Sequence, residues 1–213
     1  MTISVIVPVR DGGAPFRRCL AALAAARPPA HELIVVDDGS RDGSADWARA
    51  AGARLLATPR PGAGPALARN LGARQAAGDL LFFCDADVEL RPDTLGHLQA
   101  AFAAAAGLAA LFGSYDDAPG DPGFLSQYKN LLHHYVHQQA SEQASTFWSG
   151  CGAIRRALFL EQGGFPERYA VPSIEDIEFG AALTAAGHRI RLDKRLQVKH
   201  LKRWTLGGLL RSD

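Results

Sequence analysis

The 213-residue chain carries 23 Lys and Arg against 22 Asp and Glu, a formal charge of +1. That balance excludes a nucleic-acid binder of the basic type and means that any anion must be recognised locally. The length suits one large domain with a substantial core, and three cysteines (Cys19, Cys84 and Cys151) in apolar or Gly-containing contexts read as packed, reduced thiols of a cytosolic protein rather than a disulfide framework.

The chain enters strand-like sequence at once. Residues 1–7 lack the basic start and long apolar run of a signal peptide, which argues against secretion. From there short apolar runs alternate with helical patterns: strands are expected over 3–9, 33–36, 54–57, 80–84 and 108–112, and helices over 16–26, 45–51, 66–76 and 93–105. The longest apolar stretch, 98–112, contains Gly107 and is too short to cross a bilayer, so it reads as a helix followed by a strand. Such βαβ winding, with runs apolar on both faces, predicts an α/β fold whose mostly parallel sheet is covered by helices and binds ligands beyond the carboxyl ends of its strands.

Polar residues cluster at those ends: Pro8, Val9, Arg10 and Asp11 after the first strand, Asp37 and Asp38 after the second, Asp85 and Asp87 after the fourth. In Leu80-Leu81-Phe82-Phe83-Cys84-Asp85-Ala86-Asp87 two carboxylates stand one residue apart where a buried strand runs out, so both can face one side. Hard cations such as Mg²⁺ or Mn²⁺ take few carboxylates and complete their shells with water and phosphate oxygens, and this pair suits that role; solvated acids before the next helix are the alternative.

Beyond 115 the alternation weakens. A loop is expected over 116–123, then an amphipathic helix with Leu125, Tyr128, Leu131, Leu132, Tyr135 and Val136 as its apolar set. A helix over 174–186, secure from Asp176 onward, ends at Gly187 before a last strand at 190–192. His133 and His137 share a helix face, with His134 beside them, but no acid or cysteine is adjacent. A solvated or acceptor-facing helix is therefore preferred to a metal site.

Five segments occur in one order: Val5-Ile6-Val7-Pro8-Val9-Arg10-Asp11; Val35-Val36-Asp37-Asp38-Gly39-Ser40; Ala68-Arg69-Asn70-Leu71-Gly72; Asp85-Ala86-Asp87; and Gly163-Gly164-Phe165 leading to Ile174-Glu175-Asp176. In that order the chain resembles a family 2 glycosyltransferase of the GT-A fold, over almost its whole length and most closely the catalytic domain of a membrane-associated bacterial member. The resemblance implies a single domain over 1–213, with a nucleotide-sugar half (1–115) and an acceptor-side half (116–213), cut before a membrane region. It implies a metal-dependent, inverting transfer of one sugar from a nucleotide-sugar, UDP-sugar before GDP-sugar, to a hydroxyl acceptor that is lipid-linked, at the cytoplasmic face of the cell membrane.

The same resemblance assigns Pro8, Val9, Arg10, Asp11, Asp38, Arg69 and Asp85 to the donor nucleotide. It assigns Asp87, Asp85 and His200 to Mn²⁺ or Mg²⁺, Asp176 as general base with Glu175 beside it, and Trp148, Gly150 and Cys151 to the sugar or acceptor side. Each has a structural counterpart. Asp38 could hold a turn, Arg69 an ion pair, Trp148 a place in the core, and acids at 175–178 a helix N-terminus. The basic and apolar tail, with Lys199, Lys202, Arg203 and Arg211 around Trp204, Leu206, Leu209 and Leu210, suits pyrophosphate or an anionic membrane surface. Leu201-Lys202-Arg203-Trp204 shares only its last two residues with the Gln-X-X-Arg-Trp signature of processive synthases, which disfavours polymer synthesis. The alternatives are a degenerate nucleotide-sugar-binding module, which would have lost its carboxylates, and a sugar-1-phosphate nucleotidyltransferase, whose Gly-rich basic loop is missing.

Overall fold

The structure, a computed structural model, describes residues 1–169, 171 and 173–207; Leu209, Leu210 and Arg211 of the tail lie outside the described residues. In chain order the elements are β1 (Ile3–Val9), α1 (Gly13–Ala25), β2 (Glu32–Asp37), α2 (Ser44–Ala50), β3 (Arg54–Ala57), α3 (Pro65–Gln75), β4 (Leu80–Cys84), β5 (Val88–Glu89), α4 (Thr94–Ala104) and β6 (Leu108–Tyr115). There follow α5 (Phe124–Gln139), β7 (Gln143–Ala144), β8 (Cys151–Arg155), α6 (Arg156–Glu161), α7 (Glu175–Ala185) and β9 (Arg189–His200). The strands connect in the order β3-β2-β1-β4-β8-β6-β9-β5, with β7 against β9.

The first half winds as its sequence predicts. β1 lies between β2 and β4, both parallel to it, and β3 extends the parallel block beyond β2. Alternation with a period of two divides β1 between two cores. Val5, Val7 and Val9 face Phe16, Leu20, Leu95, Leu98 and Phe102 of α1 and α4. Ile6 faces the other side, with Ile34, Val36, Leu81 and Phe83, against Ala66 and Ala73 of α3 and a group of phenylalanines. In that group Phe83, Phe159, Phe165 and Phe179 meet tilted or edge to face at centroid distances of 5.1–5.2 Å, the arrangement that the ring quadrupole favours.

The second half departs from expectation in three ways. Residues 151–155, whose first residue, Cys151, is expected on the sugar or acceptor side, form β8, which runs antiparallel between β4 and β6. The last strand is not 190–192 but the twelve residues of β9. It was hidden because charged residues alternate with Ile190, Leu192, Leu196 and Val198, and because the alternation is interrupted at Asp193, a buried acid that accepts hydrogen bonds from the backbone of Arg195 and the ring of His97, and at Lys194. β5 and β7 are two residues each and carry no pattern of their own.

The third departure is α5, whose apolar set faces outward. Of that set Tyr128, Leu131, Leu132, Tyr135 and Val136 are exposed and Leu125 is half-buried; Phe124, which the set did not include, is exposed as well, and the residues the helix buries are Ser126 and Asn130. Among the described residues no helix is long and apolar enough to cross a membrane.

Candidate active site

The carboxyl ends of β1, β2 and β4 open into a cleft of about 570 Å³. Its walls include Pro8, Val9, Arg10, Asp11, Asp38, Arg69, Asp85, Asp87 and His200, so the residues expected at nucleotide and metal all converge there. Lys202, Arg203 and Trp204 of the tail, expected at pyrophosphate or at an anionic membrane surface, also line it. Asp11 holds a positive φ of 50°, uncommon for a residue with a side chain. The turn is fixed from both sides: Asp11 N–H donates to Ser40 Oγ at 3.0 Å, and Asp11 Oδ1 accepts from Arg41 N–H at 2.6 Å.

Asp37 and Asp38 divide their work. Asp37 Oδ1 accepts Ser40 N–H in an Asx-type turn at 2.9 Å. Asp38 is buried and accepts from Thr58 Oγ1 (2.7 Å) and the backbone N–H groups of Ala63 (2.8 Å) and Gly64 (3.1 Å), which ties the 61–65 loop to the sheet. A carboxylate has about four acceptor sites. Three are taken here, and one site on Oδ2 remains for a ligand.

Arg69 joins two regions that are distant in sequence. From α3 it donates to Asp85 Oδ1 at 2.7 Å and to Glu175 Oε1 at 3.2 Å, 106 residues away. Burial opposes its charge, but Asp85 and then Asp176 and Glu175 outweigh that and raise its pKa. The neighbouring Asn70 makes reciprocal hydrogen bonds with the backbone of Phe165, at 2.7 and 2.9 Å, and so fixes the Gly163-Gly164-Phe165 turn. Of the two readings of Arg69, the ion pair is present, and the same side chain lines the cleft.

Beyond Arg69 lies a second cavity of about 400 Å³, lined by Asp176, Glu175, Trp148, Ser149, Gly150, His133 and His137 together with Arg69 and Asp85. Asp176 Oδ2 accepts the N–H and Oγ–H of Ser149 at 3.0 and 2.9 Å, and Oδ1 accepts the N–H of Ile177 at 2.9 Å. One acceptor site stays open. Burial raises its pKa against the lowering effect of Ser149 and Arg69. Glu175 differs in being ion-paired and more deeply buried: its oxygens accept from Arg69 and from Ser173 N–H at 2.9 Å.

Gly150 brings these walls together. A Cβ there would lie 2.7 Å from the Trp148 ring and 2.9 Å from Asp85 Oδ2, so only glycine lets β8 enter this close. Cys151, expected on the acceptor side, belongs to neither wall. It is fully buried in β8 opposite Cys84, and burial pushes its thiol pKa up, so it is a core residue. Cys19 and Cys84 are likewise buried and free, as their contexts predicted.

The inner face of α5 explains why that helix is reversed. Asn130 Oδ1 holds His200 Nδ1, which leaves Nε2 facing Asp87 Oδ2 at 3.4 Å. Burial works to raise the Asp87 pKa, and the hydrogen bond and charge of His200 with Lys202 overcome this and lower it. Tyr115 stacks on His200 at 4.2 Å and 6°, and packs against His133 and Trp148 at 4.3 and 4.9 Å. His134 and His137 pair with the backbone carbonyls of Tyr115 and Gly113. His133 is half-buried beside them, and desolvation with its neighbouring histidines lowers its pKa to about 3, so it is an uncharged wall of the second cavity. Ser126 and Asn130 extend at helical spacing the face that His133 and His137 share; the sequence reading noted the two histidines but not the rest of this polar stripe.

The family description "Glycosyl transferase family 2" matches residues 4–163. The chain belongs to that family. Among curated relatives, the validoxylamine A glucosyltransferase of Streptomyces hygroscopicus subsp. limoneus is 28% identical over 220 aligned positions, covering 87% of this chain and 48% of that protein. The uncharacterized glycosyltransferase YibD of Escherichia coli K12 is 37% identical over 95 positions, covering 42% and 27%. The chain thus spans less than half the length of either. Of solved structures, the Pyrobaculum calidifontis mannosyltransferase PcManGT, in complex with GDP-Man and Mn²⁺, superposes with a TM-score of 0.76 at 21% identity, covering 98% of this chain and 59% of that one. Staphylococcus aureus TarS 1–349 with UDP-GlcNAc gives 0.71 at 22% identity, covering 96% and 60%. At such identities the likeness carries the fold, and the α/β arrangement expected of the family 2 chain is the one observed.

Proposed function

We propose that this chain is the catalytic domain of a transferase that moves one sugar from a nucleotide-sugar donor to a hydroxyl acceptor with inversion. One observation carries the reading: Arg69 and Asp85 stand in the walls of both cavities, so a cleft suited to a nucleoside diphosphate opens onto a chamber holding a carboxylate with an open acceptor site. The acceptor hydroxyl gives its proton to Asp176 as its oxygen bonds to the anomeric carbon. The bond from that carbon to the diphosphate breaks on the opposite face, and a positioned base of this kind contributes ~10²- to 10⁴-fold. Ser149 and the N-terminus of α7 hold the carboxylate in place.

Asp87, Asp85 and His200 suit a divalent cation in donor type, and Asn130 supplies the outer hydrogen bond that orients a ligating imidazole. Among the described residues no three His, Cys, Asp or Glu form a ready-made cluster. Water and the donor diphosphate would complete the shell, as is usual for Mg²⁺ and Mn²⁺. When bound, the cation supplies charge neutralisation at the leaving diphosphate. The complexes of PcManGT and TarS with GDP-Man and UDP-GlcNAc support either nucleotide, and the open site of Asp38 supports a base with an N–H donor, uracil first. Exposed Ile174 and Ile177 beside Asp176 support an amphiphilic, lipid-linked acceptor.

Thermal unfolding with UDP or GDP, with and without Mn²⁺, tests the assignment. A nucleotide at one hundred times its Kd stabilises the folded state by about 2.7 kcal/mol. The parent protein should show a Mn²⁺-dependent rise in Tm, Asp87→Ala should lose it while keeping its own fold, and His200→Ala should lose less. Unchanged Mn²⁺-dependent binding in Asp87→Ala would remove that residue from the metal site.

A further inference from the structure

The outward face of α5 is an unusual surface. Phe124, Tyr128, Leu131, Leu132, Tyr135 and Val136 recur at helical spacing along about 18 Å of axis. They are 39–79% exposed. The opposite face is already committed to His200, Tyr115 and the second cavity, so the helix cannot roll over to hide them. No acid occurs in α5. Lys129 lies within the exposed span and packs over Trp204 at 5.5 Å, and the tail, joined to the helix by a hydrogen bond from Trp204 N–H to Ser126 Oγ at 2.9 Å, adds exposed Lys202, Arg203 and Leu206 alongside. The acids at this end are Asp116, paired with Lys199; Asp121, which accepts from Gly123 N–H; exposed Asp117; and Asp87 in the cleft, whose charge Lys202 also meets.

We infer that α5 docks on an anionic bilayer, lying in the headgroup layer with its aromatic and aliphatic face down and the tail's cations against lipid phosphates. Tyr and Phe beside Lys and Arg are the composition that such a layer takes up, since it offers hydrocarbon and negative charge within a few ångströms. A second copy of the chain fits less well, because a symmetric contact through this face would set Lys129 and its neighbouring cations against themselves. Docking needs no donor and no transfer. Its consequence does rest on the transferase reading: the bilayer would lie one helix away from the chamber that holds Asp176, at a distance a membrane-anchored acceptor can cross.

Sedimentation of the intact chain with vesicles, in the absence of nucleotide, tests this. The parent protein should pellet with phosphatidylcholine vesicles containing phosphatidylglycerol, weakly with pure phosphatidylcholine, and less at high salt. The double variant Phe124→Ser, Tyr135→Ser should lower the partition coefficient by roughly tenfold or more, with unchanged Tm and unchanged Mn²⁺-dependent nucleotide binding. Parent protein that stays in the supernatant with both vesicle types, or a variant that pellets like the parent, overturns the proposal. So does a concentration-dependent dimer that the same substitutions dissolve, which would make the face a contact between copies. Because nucleotide binding is measured on the same samples, loss of docking and failure of the transferase reading are read separately.

Discussion

Asp176→Asn is expected to lower sugar transfer by at least ~10²-fold while leaving donor affinity near the parent value. The reason is positional. Asp176 lines the second cavity but not the cleft that takes the nucleotide, and Asn keeps the shape and one acceptor oxygen for Ser149 while removing the basicity. The pH profile supplies a second sign. Burial raises the Asp176 pKa, and the base works only when ionised, so parent activity should fall as pH drops through a value above the ordinary ~3.9 of an aspartate. That limb should disappear from the residual activity of the variant. Transfer within a few-fold of the parent would move the base elsewhere.

Arg69→Met should be the most destabilising single change at the site. It leaves Glu175, whose side chain is 5% exposed, and the partly buried Asp85 without their shared cation. Breaking a buried pair by removing one partner costs about 3–5 kcal/mol, because an uncompensated charge stays behind. Urea unfolding measures it. Adding Glu175→Gln should recover part of the loss by removing one of the stranded charges, whereas Arg69→Lys should recover little, since an ammonium cannot reach both carboxylates as a planar fork does. A loss below ~1 kcal/mol for Arg69→Met, of the size seen at exposed pairs, would mean that the bridge is solvated and does not hold the two cavities together.

The donor half was legible because its physics is local. β1 and β4 are central, buried on both faces, and read as continuous apolar runs that stop where the polar residues begin. Parallel winding then brings Asp11, Asp38 and Asp85 to one edge with no further information. The acceptor half depends on contacts that leave no local trace. Nothing near Arg69 announces Glu175, and nothing in the alternating charges of β9 announces a strand that ends at His200. In α5 the amphipathic pattern was read correctly as a pattern, yet such a pattern does not say which face meets the protein. The site claimed the polar stripe of Ser126, Asn130 and His133, and the apolar stripe was left outside. Cys151 shows the converse: a residue beside a functional glycine in sequence turns to the other face of the strand and enters the core.

The stereochemistry of the first-formed product tests the central claim most directly. A single displacement with Asp176 as base, and no nucleophile of the protein between donor and acceptor, must invert the anomeric carbon. The parent protein should be given the UDP- or GDP-sugar that stabilises it most with Mn²⁺, and the anomeric proton followed by NMR before mutarotation sets in. An α-linked donor should yield β product, whether the acceptor is a hydroxyl compound or water. First-formed α product would contradict the account, since retention requires a different arrangement of groups around the donor sugar than the one built around Asp176.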